Sequence, residues 1–199
     1  MAVTHSESDL LVELLIHFGR AARCEEGASP LTAAQWTCLR FFARANGPAR
    51  TPSAFADFHA TTRGAASQIV RSLERRGLIA GTRSDSDRRS VRFDLTQAGR
   101  AMLDHDPLRS VIALADRLAP EERRRFLQTL QRLGAELARL RGAPAFGACR
   151  DCSHFTPAGA RGHCACMAAV LTTDDIDTLC ASFTPSHAVP TPGEHHVRS

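Results

Sequence analysis

Residues 61–96, TTRGAASQIVRSLERRGLIAGTRSDSDRRSVRFDLT, constrain the fold of this chain more than any other stretch. Ala66, Ile69, Val70 and Leu73 recur at i, i+3, i+4 and i+7, which predicts a helix with one apolar face, and Gly77 stands where a helix C-cap belongs. The opposite face carries Arg63, Ser67, Gln68 and Arg71. Arginine's forked donors suit a guanine edge, glutamine's donor beside an acceptor suits adenine, and a serine hydroxyl bonds a base or a phosphate. Beyond Gly77, Leu78, Ile79 and Ala80 make a short extended run, SDSDRRS follows, and Val91, Arg92, Phe93, Asp94 and Leu95 alternate. That pattern predicts a β-hairpin with a charged tip, so the segment is expected to form a recognition helix followed by a wing.

The flanks agree with this reading. Ser6 or Ser8 can cap a first amphipathic helix over residues 7–23, with Leu11, Leu14, Leu15 and Phe18 along one face. Thr32 caps a second helix holding Trp36, Leu39, Arg40 and Phe42, which ends before Gly47 and Pro48. Thr51 followed by Pro52 is an N-cap and N1 pair for the first helix of a helix-turn-helix, with Phe55 and Phe58 turned to the core.

On these residues, positions 31–106 resemble the winged helix-turn-helix domain of the MarR (multiple antibiotic resistance regulator) family. The resemblance is carried by the helix end LERRGLI, by the wing DSDRRSVRFDLT with Asp87 and Arg89 as its D-x-R element, and by the following TQAGRAML. It implies a mainly α fold with a small β-hairpin wing, double-stranded DNA as partner, and a homodimer formed through the N- and C-terminal helices. It also implies that Arg89, positioned by Asp87 and flanked by Arg88, enters the minor groove, where narrow A·T steps favour a guanidinium. A small aromatic effector between the dimer helices and the DNA-binding lobes is a further implication. The chain departs from the family at His59, where an apolar residue is common, and at Ala60, in a turn where glycine is common.

Charge distribution supports a nucleic-acid partner. Formal net charge is +4, and all 25 basic residues are arginine. Between positions 50 and 100 there are 10 Arg against 5 Asp and Glu, whereas from position 144 onward 3 Arg face 5 acids. The basic excess therefore sits on the expected reading head and not on the tail. A GC-rich genome accounts for the missing lysines but not for the clustering.

The start MAVTHSESD has no basic run, and Glu13 interrupts the apolar residues 10–18, so neither a signal peptide nor a membrane span is expected and the chain is read as cytoplasmic. No Gly-rich phosphate loop, G-x-S-x-G or H-E-x-x-H motif occurs, which gives no support for an enzyme.

After Thr96, Pro107 interrupts a helical region, and Pro120 with Glu121 and Glu122 starts a new helix. Phe126, Leu130, Leu133, Leu137 and Leu140 then recur at steps of four and three, a narrow seam that serves either an intramolecular core or a partner helix. The family resemblance favours the partner helix. Such a dimer would hold two recognition helices about one DNA turn, roughly 34 Å, apart.

Beyond Gly142, Pro144 and Gly147 lies ACRDCSHFTPAGARGHCACMAAVLTTDDIDTLCASFTP, which carries five of the seven cysteines. Cytosolic cysteines read first as thiols, metal ligands or redox sensors. A C-x2-C pair can place two thiolates on one metal, and later cysteines can complete a four-thiolate site. Zinc would use Cys164 and Cys166 as a cramped second knuckle or leave Cys166 spare, whereas an iron-sulfur cluster, of the 4Fe-4S kind, tolerates scattered ligands more easily. The tail also resembles the cysteine extension of a subset of MarR-type regulators, and that likeness implies Cys149, Cys152, Cys164 and Cys180 as ligands, with Cys166 the alternate third.

Other candidates read plainly. Cys24 and Cys38 are expected to be inert thiols in or beside apolar helices, and His154 and His163 to stand near the centre without ligating it. His195 and His196 fall in a Pro-rich end, residues 187–199, expected to be disordered. The expected division is a winged-helix unit with its dimerisation helices over 1–143 and a cysteine segment over 144–186.

Three functions follow. The first is a dimeric transcriptional regulator, expected to repress, whose DNA affinity is set by the cysteine centre through the preceding dimer helix. The second is a regulator of the same type that responds to an aromatic ligand and has a purely structural zinc tail. The third is an iron-sulfur electron-transfer or accessory subunit, which would have no use for a basic reading surface.

Overall fold

The computed structural model of the chain describes residues 6–22, 29–83 and 91–186. Eight α-helices and seven short strands are formed among them. Cys24, Asp87, Arg88, Arg89, His195 and His196 lie outside the described residues.

Side-chain caps fix the helix starts of the N-terminal half. Ser6 closes a capping box with Asp9 at the start of α1 (Glu7–Ala21), and Thr32 does the same with Gln35 for α2 (Ala33–Arg44). Thr51 and Thr62 cap α3 (Pro52–Phe58) and α4 (Arg63–Arg75) by accepting the amides of Ala54 and Ala65. The wing strands β1 (Ile79–Arg83) and β2 (Val91–Leu95) pair antiparallel, with Gly81 opposite Phe93. Helices α5 (Gln97–Leu103), α6 (Arg109–Asp116) and α7 (Pro120–Arg141) follow.

One core holds the winged helix together. Trp36, Leu39, Phe41 and Phe42 of α2 meet Phe55 of α3, Ala66, Val70 and Leu73 of α4, and Ile79 and Phe93 of the hairpin. Tilted and edge-on ring pairs run through it, from Phe58 against Phe41 to Phe42 against Phe93. Cys38 is fully buried here, and burial pushes its thiol well above the ordinary range, so it is the inert core residue expected of it. At the edge of this core the guanidinium of Arg40 donates to Asp106 at 2.7 Å, tying α2 to the chain just before α6.

The turn between α3 and α4 forms despite its unusual residues. Ala60 takes φ +50, the left-handed conformation that costs a Cβ-bearing residue about 1–2 kcal/mol. His59 stacks on Phe55, with ring centroids 5.4 Å apart and planes 10° from parallel, so an imidazole serves where an apolar residue is common.

The tail is a small β-unit. Strand β3 (Ala145–Ala148) pairs antiparallel with β7 (Leu179–Phe183), while β4 (Phe155–Ala158), β5 (Arg161–Cys164) and β6 (Ala169–Leu171) form a meander. A one-turn helix α8 (Thr173–Ile176) leads into β7. Its interior consists of Cys149, Cys164, Leu171 and Cys180, flanked by Phe155, Met167, Ile176 and Phe183. This unit is docked on the winged helix. Leu179 and Ala181 pack against the larger core, and Phe146 meets Phe58 edge-on at 5.0 Å.

Three helices keep their apolar faces outside. No residue of α1, α6 or α7 is buried, and Leu11, Leu14 and Phe18 of α1 stand exposed with Phe126, Leu133, Leu137 and Leu140 of α7. The α7 seam therefore does not serve an intramolecular core.

Ala60→Gly removes the left-handed cost and returns part of it as unfolded-state entropy, so a net gain of about 0.5–1 kcal/mol is expected. Thermal unfolding checks it. A lowered melting temperature would show that the turn does not have this conformation.

Candidate nucleic-acid interface and cysteine centre

Helix α4 is held by Ala66, Val70 and Leu73 in the core, and Gln35 of α2 steadies it by donating to the Ser72 hydroxyl at 2.9 Å. Gly77, at φ +67, turns the chain into β1, a conformation in which a side chain would be strained. With one face so fixed, the opposite face is set as well. Arg63, Gln68 and Arg71 are exposed and Ser67 is half-buried beside them, so the four residues read from the sequence share one surface. No acidic residue follows until Glu74.

The wing is braced at its base. Arg50 donates through Nη1 to Asp94 of β2 at 2.5 Å and through Nε to the Ala45 carbonyl at 2.9 Å. Its own carbonyl accepts the Phe93 amide at 2.9 Å. A single arginine thus joins the end of α2, the segment before α3 and the hairpin. Sequence reading missed this role, since Arg50 looks there like one more basic residue of a basic stretch.

The cysteines of the tail differ in burial. Cys149, Cys152, Cys164 and Cys180 are buried, and Cys166 is exposed in the turn after β5. Alternation along β5 explains the split, because Gly162 and Cys164 face inward and His163 outward. Cys149 opens a 3-10 turn after β3, Cys152 closes it, and Cys180 enters from β7. His154 pairs with the Thr184 hydroxyl at 3.2 Å and His163 is exposed.

Three sulfurs accept N–H donors. The Ser182 amide points at Cys180 Sγ at 3.4 Å, the Thr184 amide at Cys152 Sγ at 3.4 Å, and Asn46 Nδ2 at Cys149 Sγ at 3.3 Å. A hydrogen bond from the Cys149 thiol, opposed by burial and helped by the Ser182 amide, pulls the Cys180 thiol down to about 6. The same bond, together with burial, pushes Cys149 up. Soft donors, burial and amide donors to sulfur suit a thiolate-bound metal or cluster. The spacing does not yet make a coordination sphere: among the described residues, no group of three or more His, Cys, Asp or Glu is arranged to hold a metal ion.

Residues 29–90 match the model of the MarR family. Over this segment the chain is similar to the MarR family. A search of curated proteins gives no significant match. Among solved structures, Streptococcus pneumoniae FabT in complex with DNA is similar over 68% of this chain and 99% of its own, at 23% identity and a TM-score of 0.50. A Mycobacterium tuberculosis MarR family protein in complex with salicylic acid is similar over 67% of this chain and 100% of its own, at 26% identity and a TM-score of 0.48. A Staphylococcus aureus MepR–DNA complex is similar over 65% and 97%, at 20% identity and a TM-score of 0.47. The likeness to FabT bears on the fold alone, and about a third of this chain lies beyond each of these three structures. No helix among the described residues is long and apolar enough to cross a membrane.

Proposed function

We propose that this chain is a dimeric, MarR-type DNA-binding transcriptional regulator, acting as a repressor, whose affinity for its operator is set by the cysteine centre. The observation that carries the DNA-binding part is the exposed face of α4, where Arg63, Gln68 and Arg71 stand free on a helix anchored by its other side. Forked and paired donors placed this way read base edges in a major groove. The wing residues Asp87, Arg88 and Arg89 complete the interface in this reading, with Arg89 in the minor groove. An electron carrier would not need this surface.

The dimer part rests on the apolar faces of α1, α6 and α7. Runs of exposed leucine on long helices mark an association surface, and a second copy of the chain would cover them. The metal part rests on the buried quartet Cys149, Cys152, Cys164 and Cys180, which would hold an iron-sulfur cluster or zinc as thiolates. A bound cluster would supply redox or metal responsiveness. The chain's own residues shield the sulfurs from water and fix their N–H donors.

A second reading has one observation behind it. A cavity of about 290 Å³ opens between α2 and α6, lined by Arg40, Arg44, Leu103, Arg109 and Ile112 among others. Asp106 and Asp116 also line it and Arg40 is paired with Asp106, so Arg44 beside the apolar floor would take the charge of a small aromatic anion, in which case zinc would only fold the tail.

Arg63→Ala or Gln68→Ala is expected to cost about 1–3 kcal/mol on a duplex enriched by the wild-type protein, and less on random duplex. Titrations on both duplexes check this. Equal losses would reduce these residues to phosphate contacts.

Replacing Cys149, Cys152, Cys164 or Cys180 by Ser should abolish the iron or zinc content of anaerobically purified protein, and Cys166→Ser should leave it intact. Elemental analysis with the absorbance spectrum decides. Metal retained in Cys164→Ser but lost in Cys166→Ser would reverse the assignment of the third ligand.

A further inference from the structure

Among the described residues Asn46 and Asp106 are the buried polar ones, and Asn46 is fully inaccessible. A carboxamide is tolerated at such a place only when its polar atoms are satisfied. Here each goes to a different element. The backbone N–H donates to the Leu179 carbonyl of β7 at 2.9 Å. Oδ1 accepts the Ala49 amide at 2.9 Å, capping the 3-10 turn Gly47–Ala49 that leads into α3. Nδ2 donates to Cys149 Sγ at 3.3 Å. One planar group therefore grips the entry to the helix-turn-helix at one end and a sulfur of the cysteine centre at the other.

The surroundings extend the connection in both directions. The Gly47 amide donates to Asp175 Oδ1 of α8 at 3.3 Å, and Ala45 forms a parallel bridge with Leu179. On the other side Arg50 follows Ala49 directly and braces the wing through Asp94 and Phe93. By comparison, the contact of the tail with α7 includes one long hydrogen bond, Gln131 to Asp151 at 3.4 Å.

We propose that Asn46 is the positioning residue through which the state of the Cys149 sulfur sets the geometry of the reading head. The proposal rests on the reading of the cysteine centre as the sensor, and it names the route. A ligating cysteine sulfur is a thiolate, and an N–H bond to it is charge-assisted, whereas a neutral thiol is a weak acceptor. With the thiolate in place the carboxamide is held toward Cys149 and its oxygen stays on the Ala49 amide. When that acceptor weakens, the buried amide group loses its partner and turns. Oxygen and nitrogen share one plane, so the cap on the 3-10 turn loosens with it. The turn fixes the start of α3 and the Arg50 brace, and the presentation of α4 and the wing changes together.

The test compares full-length wild type, Asn46→Ser and Asn46→Asp, each metal-free and loaded with cobalt(II), on a duplex enriched from a random library by the wild-type protein. Serine keeps a hydroxyl cap for the turn without reaching Cys149, and aspartate keeps the acceptor oxygen without the N–H donor. Loading is expected to change the Kd of wild type by about tenfold and that of either variant by less than about twofold. Cobalt stoichiometry should be the same in all three chains, and the sulfur-to-cobalt charge-transfer band should move in both variants, because the N–H bond to sulfur is gone. A full affinity change in the variants, or an unmoved band, overturns the relay while leaving the sensor reading intact. A wild-type chain that takes up no cobalt, or whose Kd ignores it, overturns the sensor reading and the relay with it.

Discussion

The contact between Asn46 and β7 joins two cores that the chain builds far apart in sequence. On one side is the aromatic and aliphatic interior of the winged helix, and on the other is a small interior made largely of cysteine and leucine. Neither surface at the junction is polar enough to be left in water, since Leu179 and Ala181 pack against the larger core and Phe146 sits against Phe58. Burying that apolar seam requires burying Ala45 and Asn46 beneath it and half-burying Gly47. Their polar groups are then satisfied across the junction, by Leu179, Asp175 and Cys149. The tail is thus a wedge against the entry of the helix-turn-helix and not a pendant.

This arrangement changes where coupling can run. A cysteine segment that directly follows the last long helix suggests a signal passing through that helix to the arrangement of two lobes. The structure places the sulfur core against the other end of the reading head, within the same chain. Helix α7 still matters, because its exposed apolar seam, with those of α1 and α6, is the surface on which a second copy would set the distance between recognition helices. In this account, spacing belongs to the dimer helices and presentation to the Asn46 junction.

Most of the winged helix was legible in the sequence because its signals are local. The 3.6-residue pattern of Ala66, Ile69, Val70 and Leu73 fixed both faces of α4, and Ser6, Thr32, Thr51 and Thr62 cap helices by reaching three residues along the chain. Even the departures at His59 and Ala60 were visible, although that an imidazole stacks and an alanine takes positive φ could be learned only from the fold. The tail was less legible. Its strands are three to five residues long and paired mainly by the return of the chain, so no periodicity announces them. Cysteine spacing alone left Cys164 and Cys166 open, and strand alternation separates them. Asn46 carried no signal of its link to the tail, since Asn-Gly-Pro reads only as a turn and its partners there, Cys149 and Leu179, lie more than a hundred residues away.

The hold of the tail on the reading head depends on its seat over the buried residues Ala45 and Asn46, and the Asn46 amide reports this directly. Its hydrogen goes to the Leu179 carbonyl across the junction, in a segment that would otherwise be a solvated loop between two helices. Native-state hydrogen exchange of the full-length protein, resolved by residue with NMR, measures the protection of that amide. Protection comparable to that of the Phe41 and Phe42 amides in the core helix α2 is expected. Exchange at the rate of an exposed loop would contradict it, because the cysteine centre would then have no hold on the reading head.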